Sequence, residues 1–311
     1  MQSRAIWPIG SISMDIREKP YLHEEDLLAL NFIRSPALYI YRRHYRHGLR
    51  SHIMEVLHPR DVQYESKGIV LRGVRSYPRA TPRKVLRIFR IKFKTLEAAI
   101  DEVSRVRTVA AYLAPDHMAK SEEFLVTYVN QGKPTILLCG LQEYVQGEIL
   151  DPWSPLDESH LISLRQDMGC QGSEPSALDA DEWLLGIRKK AGIFVGRVKT
   201  MIRQAHHVPD LAGVGNLILT RYGGIKLVDI NNVSRVYFDS HVRGDDRGYP
   251  VCDKSIEALS LLERKLLQRA PSRRDPIYQT FLDRARMEEV KAKEETFQLA
   301  TETSPVDPGT S

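Results

Sequence analysis

The pair Gly223-Gly224 constrains this chain more than any other feature of its sequence. It separates the apolar runs Leu217-Ile218-Leu219 and Ile225-Lys226-Leu227-Val228, and two short runs divided by a glycine turn fold back on each other as an antiparallel hairpin. The hairpin brings its open ends together, with Asn216 before the first strand and Asp229 after the second. An amide oxygen and a carboxylate are hard ligands of the kind Mg²⁺ takes, its shell completed by water and phosphate oxygens. Asp210, on the loop just ahead of Asn216, is expected to face the same cavity as a base or hydroxyl-orienting group. Each residue type is also common at turns and strand ends for conformational reasons alone. Three in this order weigh towards a site.

The rest of the chain is long enough to support such a site. With 311 residues, 42% of them hydrophobic, it can bury a full core as one two-lobed domain or two ordinary ones. Cys139, Cys170 and Cys252 are far apart and odd in number, without the spacing of a zinc site, which fits a reducing cytoplasm. The first twenty residues are broken by charges and do not read as a secretion signal. No apolar run reaches the ~20 residues needed to span a bilayer, so no integral membrane association is expected. The formal net charge of +5 is compatible with a phosphorylated ligand or nucleic acid without requiring either.

Four regions follow from the patterning. Residues 1–66 read as an N-terminal extension whose stretch 41–50 interleaves arginines with tyrosines and histidines; a solvated helix face or a patch that packs on the rest of the chain is the simpler reading, and a surface for nucleic acid, anionic lipid or a protein partner the alternative. Residues 67–146 read as a β-rich lobe. Within it, residues 85–94 alternate with period two as a half-buried strand carrying Lys92 and Lys94 on one face. Thr95 caps a helix to Leu113, and strands at 124–129 and 135–139 flank a polar turn. Residues 147–272 read as a mainly helical lobe. Its long helix begins near Asp179 or Asp181 and buries Trp183, Leu184, Ile187, Ala191, Phe194, Val195, Val198 and Ile202. A second helix over 254–269 buries Ile256, Leu259, Leu262 and Leu266. Residues 273–311 read as a charged helix and a disordered tail.

The segment 209–232 resembles the catalytic loop and metal-binding strand of the protein-kinase-like superfamily, especially diverged bacterial small-molecule and lipopolysaccharide-core kinases. There, a loop aspartate is followed by an asparagine and, after a hairpin, by a metal-binding aspartate, and Asp210, Asn216 and Asp229 match that order. The resemblance implies an α+β, two-lobed kinase-like fold and a cytoplasmic protein that binds ATP with Mg²⁺. It further implies phosphoryl transfer to a hydroxyl of an unknown acceptor. By the same resemblance Asp210 would be catalytic, and Asn216 and Asp229 would hold the metal. Lys92 would hold the nucleotide phosphates, Glu102 would pair with Lys92, and the backbone of residues 142–145, including Glu143 and Val145, would meet adenine. Lys94 rivals Lys92, and Glu97 and Asp101 rival Glu102.

The pattern departs from the family in several places. Five residues rather than four separate Asp210 from Asn216, Asp229 is followed by Ile230-Asn231, and no glycine-rich G-x-G-x-x-G loop precedes Lys92. A non-catalytic, pseudokinase-like scaffold that binds a nucleotide or a partner is the competing expectation.

Overall fold

A computed structural model describes residues 14–33, 38–45, 50–130, 132–170 and 179–302. The chain divides into two compact units, the first made of residues 1–103 and 121–144 and the second of residues 104–120 and 145–311. The α+β class expected from the sequence, with a β-rich N-terminal unit and a mainly helical C-terminal unit, is the class observed.

The first unit runs α1 (Glu24–Leu28), β1 (Ile40–Arg43), β2 (Ser51–Leu57), α2 (Pro59–Lys67), β3 (Ile69–Leu71), β4 (Val74–Ser76), β5 (Lys84–Phe89), the first half of α3 (Leu96–Leu113), β6 (Ser121–Asn130) and β7 (Lys133–Glu143). Its five-stranded sheet has the order β1-β2-β5-β7-β6 with every neighbour antiparallel. Successive side chains on a strand face opposite ways. Leu86 and Ile88 of β5 and Leu137 and Cys139 of β7 therefore pack with Ile16, Leu22 and Leu27. The intervening Phe89 and Leu138 pack with Val103 of α3 on the other face. Both faces of the central strands are buried, at roughly 1.5–3 kcal/mol for each large apolar side chain.

Two expectations are corrected here. The described residues before 67 are not a separate extension: β1 and β2 are integral strands, and part of the basic stretch 41–50 lies in β1. Arg42 is committed to this unit, its guanidinium donating to Glu55 at 2.9 Å and to Glu65 at 2.8 Å. Secondly, the strand expected over 85–94 stops at Phe89 although the alternation continues in the sequence. Phe89 pairs with Ser51, the first residue of β2, and one further bond joins the Arg90 amide to the Arg50 carbonyl at 2.9 Å. A strand without a neighbour has nowhere to place its backbone donors, so Lys92 and Lys94 lie beyond the ladder.

The second unit contains the rest of α3, then β8 (Glu148–Ile149), α4 (Glu158–Cys170), α5 (Ala180–Ala205), β9 (His207–Pro209), β10 (Leu217–Leu219), β11 (Ile225–Leu227), β12 (Val233–Arg235), α6 (Val251–Leu266), α7 (Pro276–Phe281) and α8 (Arg284–Glu302). The eight α5 residues expected on its buried stripe are all buried, as are the four named on α6. The expected single charged C-terminal helix is two, α7 and α8. The tail from 303 onwards lies outside the described residues. Thr95 caps α3 as expected, accepting from the Ala98 amide at 3.2 Å, although Leu96 and Ile100 are exposed rather than on its packed stripe.

Candidate functional site

Two short antiparallel ladders in the second unit end side by side. In the first, β9 pairs with β12 with Pro209 opposite Val233. Asp210 leaves β9 where Asn232 enters β12, and the Asp210 amide donates to the Asn232 carbonyl at 2.8 Å. In the second, β10 and β11 pair with Leu217 opposite Leu227, and the Val228 amide donates to the Asn216 carbonyl at 2.8 Å. The turn is the one the glycines require: the Thr220 amide donates to the Gly224 carbonyl at 2.8 Å, and Gly223 has φ of 71°, a left-handed conformation that suits glycine. Asn216 and the residue before Asp229 are thus joined at the hairpin's open end, as its length and turn imply.

A third contact closes the loop between the ladders. The Asn216 side-chain amide donates through Nδ2 to the Asp210 carbonyl at 3.0 Å. This engages the amide's nitrogen through one of its two N–H donors and leaves its carbonyl oxygen as the atom suited to a hard cation. Gly213 makes the approach possible, since a Cβ there would lie 2.5 Å from Asn216 Nδ2.

The Asp210 carboxylate is fixed from both sides. Oδ1 accepts from the Ala212 amide at 3.0 Å and the Gly213 amide at 3.1 Å, the turn-capping pattern common for aspartate. Oδ2 accepts from Asn232 Nδ2 at 2.9 Å. A carboxylate offers about four lone-pair sites, so three bonds leave one, on Oδ2, for a further donor. Burial raises the Asp210 pKa and the Asp229 carboxylate raises it further, against the lowering effect of these hydrogen bonds. Two acids close enough to repel form a place where a cation is favoured.

The loop is held by residues that the sequence did not single out. Trp153 donates from its indole to the Ala212 carbonyl at 2.9 Å, and Ser255 of α6 accepts from the Leu211 amide at 3.2 Å. Lys254 sits 4.3 Å from the Trp153 ring centroid. Asn231 is buried with neither side-chain amide atom hydrogen-bonded to the protein, an arrangement that costs stability and is commonest where a site needs the group. Asn231 and Asn232 were visible only as polar residues after a strand. Their spacing from Asp229 gives no warning that one of them reaches back to Asp210.

The other expected site residues are placed differently. Lys92 lies outside the sheet, largely exposed, ion-paired with Glu18. The cation that β5 carries in its interior is Arg87, buried on the same face as Phe89, the face that meets α3. Glu102 is half-buried on α3. Glu143 ends β7 in the first unit, opposite Lys84, and Val145 begins the second. Among the described residues, no group of three or more His, Cys, Asp or Glu side chains is arranged to hold a metal. No helix among the described residues is long and apolar enough to cross a membrane.

No family model matches the chain, and no curated protein does. Among solved structures it is similar to a chain in the structure of the CAK complex from Chaetomium thermophilum bound to ATP-gamma-S, at 13% identity and a TM-score of 0.38, covering 76% of this chain and 64% of that one. The chain therefore matches less than two thirds of that protein's length. Likeness at this level assigns neither activity nor ligand.

Proposed function

We propose that this chain is a kinase-like protein that binds ATP with Mg²⁺ and transfers the terminal phosphoryl group to a hydroxyl of an acceptor, working in the cytoplasm. The observation that carries this reading is the convergence of Asp210, Asn216 and Asp229 at the ends of two ladders, in the order the protein-kinase-like superfamily uses. Asn216, its amide nitrogen engaged by the Asp210 carbonyl, and Asp229 would hold the metal, which supplies charge stabilisation for the phosphates. Asp210 would align the acceptor hydroxyl through the remaining lone pair of Oδ2. As the hydroxyl oxygen bonds to the γ-phosphorus, the bond from that phosphorus to the β–γ bridging oxygen breaks. The hydroxyl proton passes to Asp210 and ADP leaves. A fixed carboxylate suits this role because it needs no reorganisation as the proton moves.

A thermal-shift titration with ATP and GTP, each with and without Mg²⁺, tests the reading beside Asp229→Asn. A Mg²⁺-dependent rise in melting temperature that the variant lacks is the expected result. No shift at millimolar nucleotide would remove it.

The second reading, a nucleotide-binding scaffold without catalysis, is favoured by one observation: Lys92 is engaged by Glu18 outside the sheet. Metal-dependent binding of nucleotide with neither hydrolysis nor transfer would select it.

A further inference from the structure

Between β2 and β5, adjacent partners in the sheet, the chain leaves as an arm containing α2 and the β3–β4 hairpin. From His58 to Arg79 none of its residues is buried, so the arm adds nothing to either hydrophobic cluster of its unit. It is nevertheless held in place. Arg42 of β1 bridges Glu55 of β2 to Glu65 of α2, and Arg75 of β4 donates to the Lys67 carbonyl at 2.9 Å. Gly68, at φ of 74°, permits the turn from α2 into β3.

The arm concentrates charge. Residues 58–83, the whole connection between the two strands, carry six Lys and Arg against Asp61 and Glu65, a net +4. Both carboxylates are engaged by arginines, Asp61 by Arg83 at 3.4 Å and Glu65 by Arg42 at 2.8 Å. The hairpin tip is apolar as well as basic. Leu71 and Val74 face each other across the turn Arg72-Gly73, where both residues have positive φ, the geometry of a tight two-residue hairpin. Val70, Leu71 and Val74 are 64%, 56% and 68% exposed.

We infer that this arm is a docking surface for an anionic lipid bilayer, with the aliphatic tip entering the interface and the surrounding arginines and lysines meeting headgroup phosphates. The charge requires an anionic partner. The three aliphatics select the bilayer, because a polyanion in water gains nothing from Val70, Leu71 and Val74, whereas an interface buries them while attracting the basic side chains around them. Tyr77, 61% exposed, and Tyr64, with Arg60 over its ring, suit a membrane interface and a nucleobase alike, so the aliphatic tip is what selects the bilayer.

Cosedimentation of the full chain with vesicles of phosphatidylcholine, alone or with about one-third phosphatidylserine, tests the inference. The protein is expected to pellet with the anionic vesicles only. Lys67→Glu with Arg72→Glu should lower the bound fraction about tenfold. Leu71→Ser with Val74→Ser should lower it several-fold while leaving its salt dependence in place. Since the arm buries no core residue, all four substitutions should leave the melting temperature unchanged, and Lys67→Gln with Arg72→Gln serves if the glutamates do not. Equal sedimentation with both vesicle types, or none with either, would overturn the inference. So would binding to a DNA duplex, without sedimentation, that the Leu71 and Val74 changes leave intact.

Discussion

Asp210 and Asn232 hold each other at two points: the Asp210 amide donates to the Asn232 carbonyl at 2.8 Å, and Asn232 Nδ2 returns a bond to Asp210 Oδ2 at 2.9 Å. The first bond continues the β9–β12 ladder by one step, and the second uses that register to fix a carboxylate. Asp210 is therefore positioned by sheet geometry as well as by its own loop.

This clasp carries an energetic consequence. Burial and Asp229 raise the Asp210 pKa above its unfolded value, so the charged form is disfavoured in the folded protein. The stability associated with the protonated form is fully present below the unfolded pKa of about 3.9 and is lost as pH rises through the folded value. Asp210→Asn keeps an acceptor for the Ala212 and Gly213 amides and removes the charge, but sets its own NH2 against Asn232 Nδ2. It is therefore paired with Asp210→Asn/Asn232→Ala, which removes that donor from both sides of the comparison with Asn232→Ala. In the Asn232→Ala background the substitution should raise the melting temperature at neutral pH by at least about 2 °C, with the difference vanishing in acid. Melting curves across pH decide it. Melting lower at every pH in the Asn232→Ala background as well would show that the charge is compensated.

Gly213→Ala tests the loop closure without altering a proposed ligand atom. The new Cβ would stand 2.5 Å from Asn216 Nδ2 and 2.9 Å from its Cγ, so the side chain must move and give up its bond to the Asp210 carbonyl. A loss of about 1–2 kcal/mol is expected, with Mg²⁺-dependent nucleotide affinity about tenfold weaker. Combined with Asn216→Ala the same glycine change should cost nothing further, because the colliding atoms are gone. Chemical denaturation of the four proteins in this cycle provides the measurement, and an equal cost in both backgrounds would assign the effect to the backbone instead.

In the first unit the pH dependence runs the other way. His52 is buried, with Nε2 3.0 Å from the Ile16 carbonyl and Nδ1 3.4 Å from an Arg90 nitrogen. Burial, reinforced by Arg90, lowers its pKa to about 4. Between the unfolded value of about 6.5 and that figure, the unfolded chain takes up a proton that the folded one refuses. Stability should therefore fall by roughly 3 kcal/mol as pH drops through this window. His52→Gln, which keeps an amide donor without titrating, should flatten that part of the profile. Urea midpoints for the two proteins that decline in parallel from about pH 7 to pH 4.5 would show that His52 is charged in the fold.

Local pattern determined a good deal of this molecule. The α5 and α6 stripes, Thr95 as a cap, and the Gly223-Gly224 hairpin with Asn216 and Asp229 at its open end follow from helical period, capping chemistry and turn geometry, all of which act within a few residues. Only the tertiary structure decided what depended on distant partners. Strand β5 ends at Phe89 because β2 begins at Ser51, which leaves Lys92 outside the sheet and Arg87 within it. Strand β2 forms because β5 is there to pair with it, and β1 because β2 is. Asn232 reaches Asp210 because β12 returns beside β9 in a particular register. A periodic sequence specifies which face a residue occupies, whereas backbone hydrogen bonds to remote segments determine how far an element extends and what it stands beside.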